Sequence, residues 1–338
     1  VTESGNFEGR SILNIKEPAA AAARDLGISE TALLRLISDA RPKLLAHRNK
    51  RFIPLRDEKI LTAWNGLMIS AFARSGLLLG NPAYVQTARK AAMFILDNSC
   101  KNNQLFRSYK DGKAIHKAYL DDYAFFIAAL LDLFEADPDP FWFETAVALD
   151  TFMSTHFEDT VDGGFFMIAD THEGLIAREK PGYDGALPSG NAVAAMNLFR
   201  LYEFTTHDSY RKRAAATLLA FSKTFESSPL GLTEMMLALE FSLDSPKQVV
   251  IVFPKGQSLE ILPFLKEFRK TYLPNRVLIQ VEEGEPAEKL AAVIPIAAGK
   301  KPTGGTPVAF VCEKGVCLLP SFTPDDFAQQ IKTIKRLE

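Results

Sequence analysis

The chain alternates between two kinds of apolar pattern at helical spacing. Segments 123–130 and 192–199 are apolar on nearly every side, whereas segment 208–226 has one apolar and one polar side. Because fully buried helices alternate with half-exposed ones, the pattern predicts an inner layer of helices wrapped by an outer layer, an α/α toroid. Helix patterns are found at 29–48, 58–79, 82–99, 120–136, 140–156, 189–206, 208–226 and 231–241.

The pattern changes after Pro246 to short β-branched runs between helix patterns. Strands are predicted at 249–253 and 277–281 and a hairpin at 307–319, with helices between them and after them. The resulting order, β-α-β-α-β-β-α, resembles that of thioredoxin. The sequence therefore predicts a mainly α protein, with part of a toroid over 1–245 and a small thioredoxin-like α/β domain over 246–338.

Three details of this small domain are also predicted. Thr306-Pro307 falls where thioredoxin-like domains carry a cis proline, so a cis bond is expected. Cys312 and Cys317 flank the turn of the hairpin and are expected to face each other as reduced thiols. Segment 253–258 has no Cys-x-x-Cys pair, so no thiol-disulfide activity is predicted there.

Three acidic clusters recur along the helical part, each just before a helix pattern. Asp57, Asp122 and Asp184 are separated by 65 and 62 residues, which is room for two helices and their connections. If successive units circle a common axis, the clusters lie at the same end of the ring. Polar residues that converge on one mouth of an apolar ring predict a binding site.

Short hairpin patterns lead into the second and third clusters. One is predicted over 104–116 with its turn at 110–113, and another over 164–178 with its turn at 171–174. Hairpins in these positions would narrow the mouth of the ring.

Composition excludes several classes of function. A net charge of -2 argues against nucleic acid as the main partner, because phosphate binding needs a basic face. No run of about eighteen uncharged apolar residues is present, so no membrane span is predicted. Three cysteines and no signal peptide favour a cytoplasmic location, and the missing initiator Met suggests a piece of a longer protein. No zinc spacing and no phosphate-loop motif occur, so neither a metal nor a cofactor is predicted.

Five motifs together resemble those of the spermatogenesis-associated protein 20 family, also called thioredoxin-domain proteins. They occur in order and span nearly the whole chain, at 5–9, 57–68, 119–125, 162–166 and 184–195. The resemblance implies a six-hairpin (α/α)6 toroid related to N-acylglucosamine 2-epimerases and six-hairpin glycosidases, of which this chain holds roughly the last four hairpins. It also implies an N-terminal thioredoxin-like domain that this chain lacks and that is an expected partner.

The acidic clusters supply the candidate chemistry. Asp122 and Asp184, with Asp121 beside them, are the candidate catalytic carboxylates, one held protonated by burial and one ionised. The alternative for each is a structural role, such as a cap at the helix start. Candidate substrate-binding residues are Asp57, Lys59, Trp64, Asn65, Tyr119, Tyr123, Tyr183, Ser189 and Asn191.

These residues favour binding of a saccharide or similar polyol, with a glycoside hydrolase or sugar epimerase as the possible enzyme. The histidines share no pattern with the acidic clusters apart from His116, so the histidine pair of the epimerases is not evident. The rival hypothesis is a non-catalytic scaffold that works with the absent thioredoxin-like domain. A redox enzyme would depend wholly on that domain.

Overall fold

The computed structural model describes residues 3–172 and 177–332, in two compact units, Val1–Glu58 and Lys59–Glu338. The first unit contains helices α1 (Ala19–Asp25) and α2 (Glu30–Arg48), which pack against each other. Ser29 caps α2 as predicted, because its side-chain oxygen accepts a hydrogen bond from the Ala32 amide at 3.2 Å. The boundary after Glu58 was not evident in the sequence pattern.

Helices make up most of the first two-thirds of the second unit. The helix patterns predicted for this unit are confirmed, with two differences. The helix predicted over 58–79 begins at Thr62, and pattern 208–226 is divided at Phe221. The bounds are α3 (Thr62–Leu79), α4 (Pro82–Ser99), α5 (Leu120–Ala136), α6 (Pro140–Phe157), α7 (Gly190–Thr205), α8 (Asp208–Ala220), α9 (Ser222–Ser227) and α10 (Thr233–Leu243).

These helices form two layers. Helices α3, α5, α7 and α10 lie side by side in that order, while α4, α6 and α8 each pack against the helix that precedes them. Helices α5 and α7 are buried along nearly their whole length, so the predicted alternation of buried and half-exposed helices is confirmed. Gly66 permits the close approach of α3 to α5, because a Cβ atom there would lie 2.8 Å from the Phe125 backbone.

Short strands join the ends of the helices. They are β1 (Ile60–Leu61), β2 (Cys100–Lys101), β3 (Gln104–Lys110) and β4 (Lys113–Lys117), and β3 pairs antiparallel with the other three. The first predicted hairpin is thus confirmed. In the second, Phe165 forms a bridge with Glu158 and the Met167 amide bonds to the Glu179 carbonyl at 2.7 Å. Part of its predicted turn lies outside the described residues.

The remaining elements of the unit confirm the predicted order β-α-β-α-β-β-α. They are β5 (Lys247–Phe253), α11 (Leu262–Lys270), β6 (Arg276–Glu282), α12 (Glu285–Val293), β7 (Val308–Glu313), β8 (Val316–Cys317) and α13 (Pro324–Lys332). The sheet order is β6-β5-β7-β8, with β5 and β6 parallel and the other pairs antiparallel. One face, including Val250 and Val252, joins the core of the helical layers, and the other face is covered by α11 and α13.

Two details predicted for this part of the chain are wrong. No described residue follows a cis peptide bond, so Thr306-Pro307 is trans. The trans isomer of an X-Pro bond is the more stable one unless tertiary contacts favour cis. Here Thr306 lies in a turn in which its amide donates to the Thr303 carbonyl at 3.1 Å. Cys312 and Cys317 do face each other across β7 and β8, but as a disulfide rather than as thiols.

Neither a membrane span nor a clustered metal site is found in the described part of the chain. Within residues 3–172 and 177–332, no helix combines the length and the apolar content needed to cross a bilayer. Within the same residues, no three His, Cys, Asp or Glu side chains are grouped closely enough to hold a metal ion.

Candidate functional site

Asp122 connects the starts of α3 and α5. Its Oδ1 accepts a hydrogen bond from the Ala63 amide at 2.9 Å, and its Oδ2 accepts one from the Tyr119 amide at 2.9 Å. The side chain is fully buried, and burial raises the pKa of Asp122 to about 6, against the lowering effect of the two amides and of the Arg107 charge. Arg107 Nη1 lies 3.7 Å from Oδ2. Both carboxyl oxygens are therefore occupied by backbone donors.

Asp184 connects the starts of α7 and α10 in the same way. Its Oδ1 accepts from the Ser189 amide at 2.7 Å, and its Oδ2 accepts from the amides of Glu234 at 2.9 Å and Met235 at 3.1 Å. These are amides at helix starts, which have no partner within their own helix. The carboxylate of Asp184 is buried and replaces those missing partners in two helices at once.

Asp121 lies where α5 meets α7. The amide of Gly190 is a hydrogen-bond partner of its carboxyl group, and a Cβ atom at Gly190 would lie only 2.5 Å from Asp121 Oδ1. Burial raises the pKa of Asp121, while Arg107 and the Gly190 amide act in the opposite direction. Unlike Asp122, Asp121 is only half-buried.

These three acids place the starts of α3, α5, α7 and α10 together, at what we call the amino-terminal face of the inner layer. Asp122 and Asp184 both lie at this face, which is where the sequence placed them. Asp57 belongs to the other compact unit. The convergence of all three clusters on one cleft therefore stays a prediction.

Exposed aromatic side chains lie at the same face. Trp64, in the first turn of α3, is 59% exposed, and Tyr183, next to Asp184, is 76% exposed. Tyr119 is half-buried, with the Arg107 guanidinium 4.6 Å above its ring and the His172 ring 5.8 Å away. Sequence reasoning missed Arg107. Its signal was a basic residue in the middle of the hairpin strand that leads towards the second acidic cluster.

Four other candidate binding residues make structural contacts, namely Asn65, Ser189, Tyr123 and Asn191. Asn65 donates to the Leu61 carbonyl at 2.8 Å, and Ser189 caps α7 through the Ala192 amide at 3.2 Å. Tyr123 is 1% exposed, and its hydroxyl accepts from the Leu105 amide at 2.9 Å.

Asn191 is fully buried and holds the segment before α7. Its Oδ1 accepts from the Phe165 amide at 2.7 Å, and its Nδ2 donates to the carbonyls of Phe165 and Pro181 at 2.9 and 2.8 Å. Asp57 and Lys59 are exposed. The assignment of these six residues to substrate binding stays a prediction.

Replacing Asp122 with asparagine is expected to change how stability depends on pH. Because burial raises the pKa of Asp122 from 3.8 to about 6, the folded state holds this proton more tightly than the unfolded chain. Its contribution to stability is fully present below about pH 4 and is lost as the pH rises through about 6, a change of about 3 kcal/mol. Asparagine cannot titrate, so the variant lacks this change.

The measurement is urea unfolding of both proteins at about pH 4 and about pH 7. The stability of the wild type relative to the variant should fall by about 2.4 kcal/mol between the two, most of the full change. The lost backbone hydrogen bond adds an offset that is the same at both pH values. Asp208→Asn, which removes an exposed acid in the first turn of α8, is the matched control. A relative stability that does not change with pH would contradict the prediction.

Comparison with known proteins identifies relatives of this chain. No family model matches it. Spermatogenesis-associated protein 20 of Homo sapiens is 32% identical over 331 residues, which are 95% of this chain and 42% of the human protein. The Rattus norvegicus protein of the same name is 30% identical over 95% of this chain and 42% of its own length. An uncharacterized protein of Caenorhabditis elegans is 27% identical over 92% of this chain and 44% of its own. The chain thus spans less than half the length of these relatives.

Solved structures give weaker likenesses. An α-mannanase from Bacteroides thetaiotaomicron has a TM-score of 0.43 and 17% identity, covering 51% of this chain and 47% of that one. A cellobiose 2-epimerase from Spirochaeta thermophila has a TM-score of 0.41 and 19% identity, covering 48% of this chain and 43% of that one. At these scores neither likeness says what this chain does.

Proposed function

Because this chain belongs to the spermatogenesis-associated protein 20 family but spans less than half of its relatives' length, we propose a function for this part alone. It binds a carbohydrate or similar polyol at the amino-terminal face of its inner helices. Trp64, Tyr119 and Tyr183 provide the ring surfaces, and Arg107 and Asp121 provide the hydrogen bonds.

One observation carries the proposal. Three carboxylates draw four helix starts together, and exposed aromatic side chains, a guanidinium group and a half-buried carboxyl group lie at that same end. Aromatic faces suit the apolar faces of sugar rings, while carboxylates accept from hydroxyl groups and guanidinium donates to them. Trp64 is 59% exposed at this face, so its ring is available to a ligand.

An enzymatic form of the proposal depends on which acid can reach a substrate. The oxygens of Asp122 and Asp184 are occupied by backbone amides, which orient the helix starts. Asp121 is half-buried and burial raises its pKa, which favours the protonated form that a proton donor needs. In a glycoside hydrolase or sugar epimerase we therefore assign proton transfer to Asp121, with Asp122 and Asp184 as positioning residues.

The scaffold alternative has its own supporting observation. Asp122 and Asp184 both connect two helices through hydrogen bonds to buried backbone groups, which a non-catalytic fold would need equally. In this form the partner is a thioredoxin-like domain of the longer protein.

Residues 246–338 themselves are proposed to be a thioredoxin-like unit without redox chemistry, supported by their element order but not by the trans bond at Pro307. A cytoplasmic location is also proposed, supported by the small number of cysteines but not by the disulfide between Cys312 and Cys317.

Saccharide binding is tested by titration calorimetry with a panel of mono- and disaccharides. Trp64→Ala and Tyr183→Ala are each expected to weaken binding about tenfold, because each removes one exposed ring surface worth about 1.4 kcal/mol. The matched control is Tyr272→Ala, since Tyr272 is 80% exposed but lies in the α/β part, outside the proposed site. Its affinity should equal that of the wild type.

Asp121→Asn separates binding from catalysis. If Asp121 transfers a proton, the variant should lose turnover of any hydrolysed or epimerised sugar while keeping a measurable affinity for it. Failure of every saccharide to bind the folded wild type, or equal affinities in wild type, Trp64→Ala and Tyr183→Ala, would leave the scaffold as the better function.

A further inference from the structure

Glu234 supplies a carboxyl group that the proposed saccharide site does not yet use. It lies in the first turn of α10, and its amide donates to Asp184 Oδ2 at 2.9 Å, which places it at the amino-terminal face. Gly231, three residues earlier, packs against Tyr183, since a Cβ atom at Gly231 would lie 3.1 Å from Tyr183 Cδ2. The start of α10 is therefore packed beside one of the exposed rings of the proposed site.

The carboxyl group of Glu234 is open and has no bonded partner. Among the residues that the structure describes, none forms a hydrogen bond or an ion pair with it. The side chain is half-buried, and neither of its oxygens belongs to the described polar atoms that are buried without a partner, so solvent reaches both. Glu234 differs in this from Asp122 and Asp184, whose oxygens are occupied by backbone amides.

Arg74 on α3 is the cation that acts on this carboxyl group. Burial and the charge of Asp184 raise the pKa of Glu234, and the charge of Arg74 lowers it. Arg74 is exposed, and within the described part of the chain its guanidinium forms neither a hydrogen bond nor an ion pair. The two side chains are therefore close enough for their charges to interact but are not bonded to each other.

This interaction brings together the two ends of the row of inner helices. Helix α3 packs against α5, α5 against α7, and α7 against α10. In a flat row, three spacings of about 8–10 Å would separate α3 from α10 by about 24–30 Å, which is beyond the range of a screened charge, about 10 Å. The row is therefore curved, and its two ends face each other.

Each end of the curved row carries one exposed ring and one charged group without a bonded partner. These are Trp64 and Arg74 on α3, and Tyr183 and Glu234 beside the start of α10.

We propose that Glu234 and Arg74 contact the bound saccharide from these opposite ends and select its pattern of hydroxyl groups. Glu234 accepts a hydrogen bond from one hydroxyl group and Arg74 donates one to another, because a carboxylate only accepts and a guanidinium only donates. A sugar without either hydroxyl group leaves a desolvated charged group without its bond, which is costly. This inference rests on the proposed saccharide site and adds its specificity-determining residues.

Titration calorimetry with the same panel of sugars, including glucose, mannose, maltose and cellobiose, tests the inference. For the sugar that binds most tightly, Glu234→Ala and Arg74→Met are each expected to weaken binding about tenfold or more, because each removes a hydrogen bond to a charged group. Glu234→Gln keeps one accepting oxygen and should keep part of the affinity. The matched controls are Glu288→Ala on α12 and Lys266→Met on α11, which change exposed residues of the α/β part and should leave the affinity unchanged.

The double variant separates direct contact from an indirect effect. If Glu234 and Arg74 each contact the ligand, the weakening caused by the two substitutions should roughly multiply. If Arg74 acts only through its charge on Glu234, Arg74→Met changes nothing in a protein that already carries Glu234→Ala, and the contact assigned to Arg74 is wrong.

The outcomes also separate this inference from the proposed function. If the two ring variants above weaken binding but Glu234→Ala and Arg74→Met do not, the inference is wrong and the saccharide site stands. Failure of every saccharide to bind the folded wild type overturns both. Arg74→Met keeps the test informative if Glu234→Ala folds poorly, because Arg74 is exposed.

Discussion

Replacing Arg200 with leucine is expected to lower the free energy of unfolding by about 3–5 kcal/mol. Arg200 is buried in α7, and its Nη2 lies 2.9 Å from Asp132 Oδ1 and 3.0 Å from Glu135 Oε1 on α5. Both acids are themselves buried. Leucine fills most of the space but leaves two buried carboxylates without their main cation, and an uncompensated buried charge is far more costly than a lost surface pair.

The network also connects the helices to the sheet, which enlarges the effect. Arg276, at the start of β6, lies 3.4 Å from Glu135 Oε2, and the Ser70 hydroxyl on α3 donates to Asp132. Loss of Arg200 therefore weakens contacts among α3, α5, α7 and β6 together.

Urea unfolding measures the loss, and Lys289→Leu is the matched control. Lys289 pairs with Glu285 on α12, where both side chains are more than 70% exposed, so its removal should cost far less stability than that of Arg200. Adding Asp132→Asn and Glu135→Gln to Arg200→Leu should recover part of the stability, because the unpaired charges are then gone. A loss for Arg200→Leu no larger than that of the control would contradict the argument.

The helices could be predicted from the sequence because their signals are local. Apolar residues at helical spacing, prolines at the breaks and a serine before α2 mark each element within a few residues of itself. The start of α3 was predicted too early because Ile60 and Leu61 pair with Tyr109 and Ser108 in a strand. That pairing joins residues nearly fifty positions apart, which no local pattern records.

The site was predictable only in outline for the same reason. The recurrence of acids before helices correctly indicated that Asp122 and Asp184 lie at one end of the inner layer. Their hydrogen-bond partners were not evident, since Ala63 is 59 residues from Asp122 and Met235 is 51 residues from Asp184. A sequence shows that a carboxylate is present at a helix start, but whether its oxygens face a ligand or another helix depends on packing. The disulfide between Cys312 and Cys317 is a different case, since the sequence predicted that the two residues face each other but composition favoured thiols.

Replacing Asp184 with alanine is expected to lower the free energy of unfolding by about 4 kcal/mol, because three backbone amides lose their acceptor. These amides belong to Ser189 before α7 and to Glu234 and Met235 in the first turn of α10. The Glu234 amide is the least buried of the three, so water can replace its hydrogen bond in part. The expected loss of stability is therefore smaller than the full cost of leaving three buried amides without an acceptor.

Asp184→Asn gives the sharper comparison, since asparagine keeps the size of the side chain and one accepting oxygen. We expect it to lose about half as much stability as Asp184→Ala. The control is Asp208→Ala, which removes an exposed acid in the first turn of α8 and should lose less than about 1 kcal/mol.

Urea unfolding and saccharide titration on the same variants distinguish the two roles. If Asp184 positions helix starts, Asp184→Asn loses stability while a folded sample keeps the affinity and turnover of the wild type. If Asp184 acts on a substrate, turnover is abolished at unchanged stability, and our assignment of Asp184 as a positioning residue is wrong.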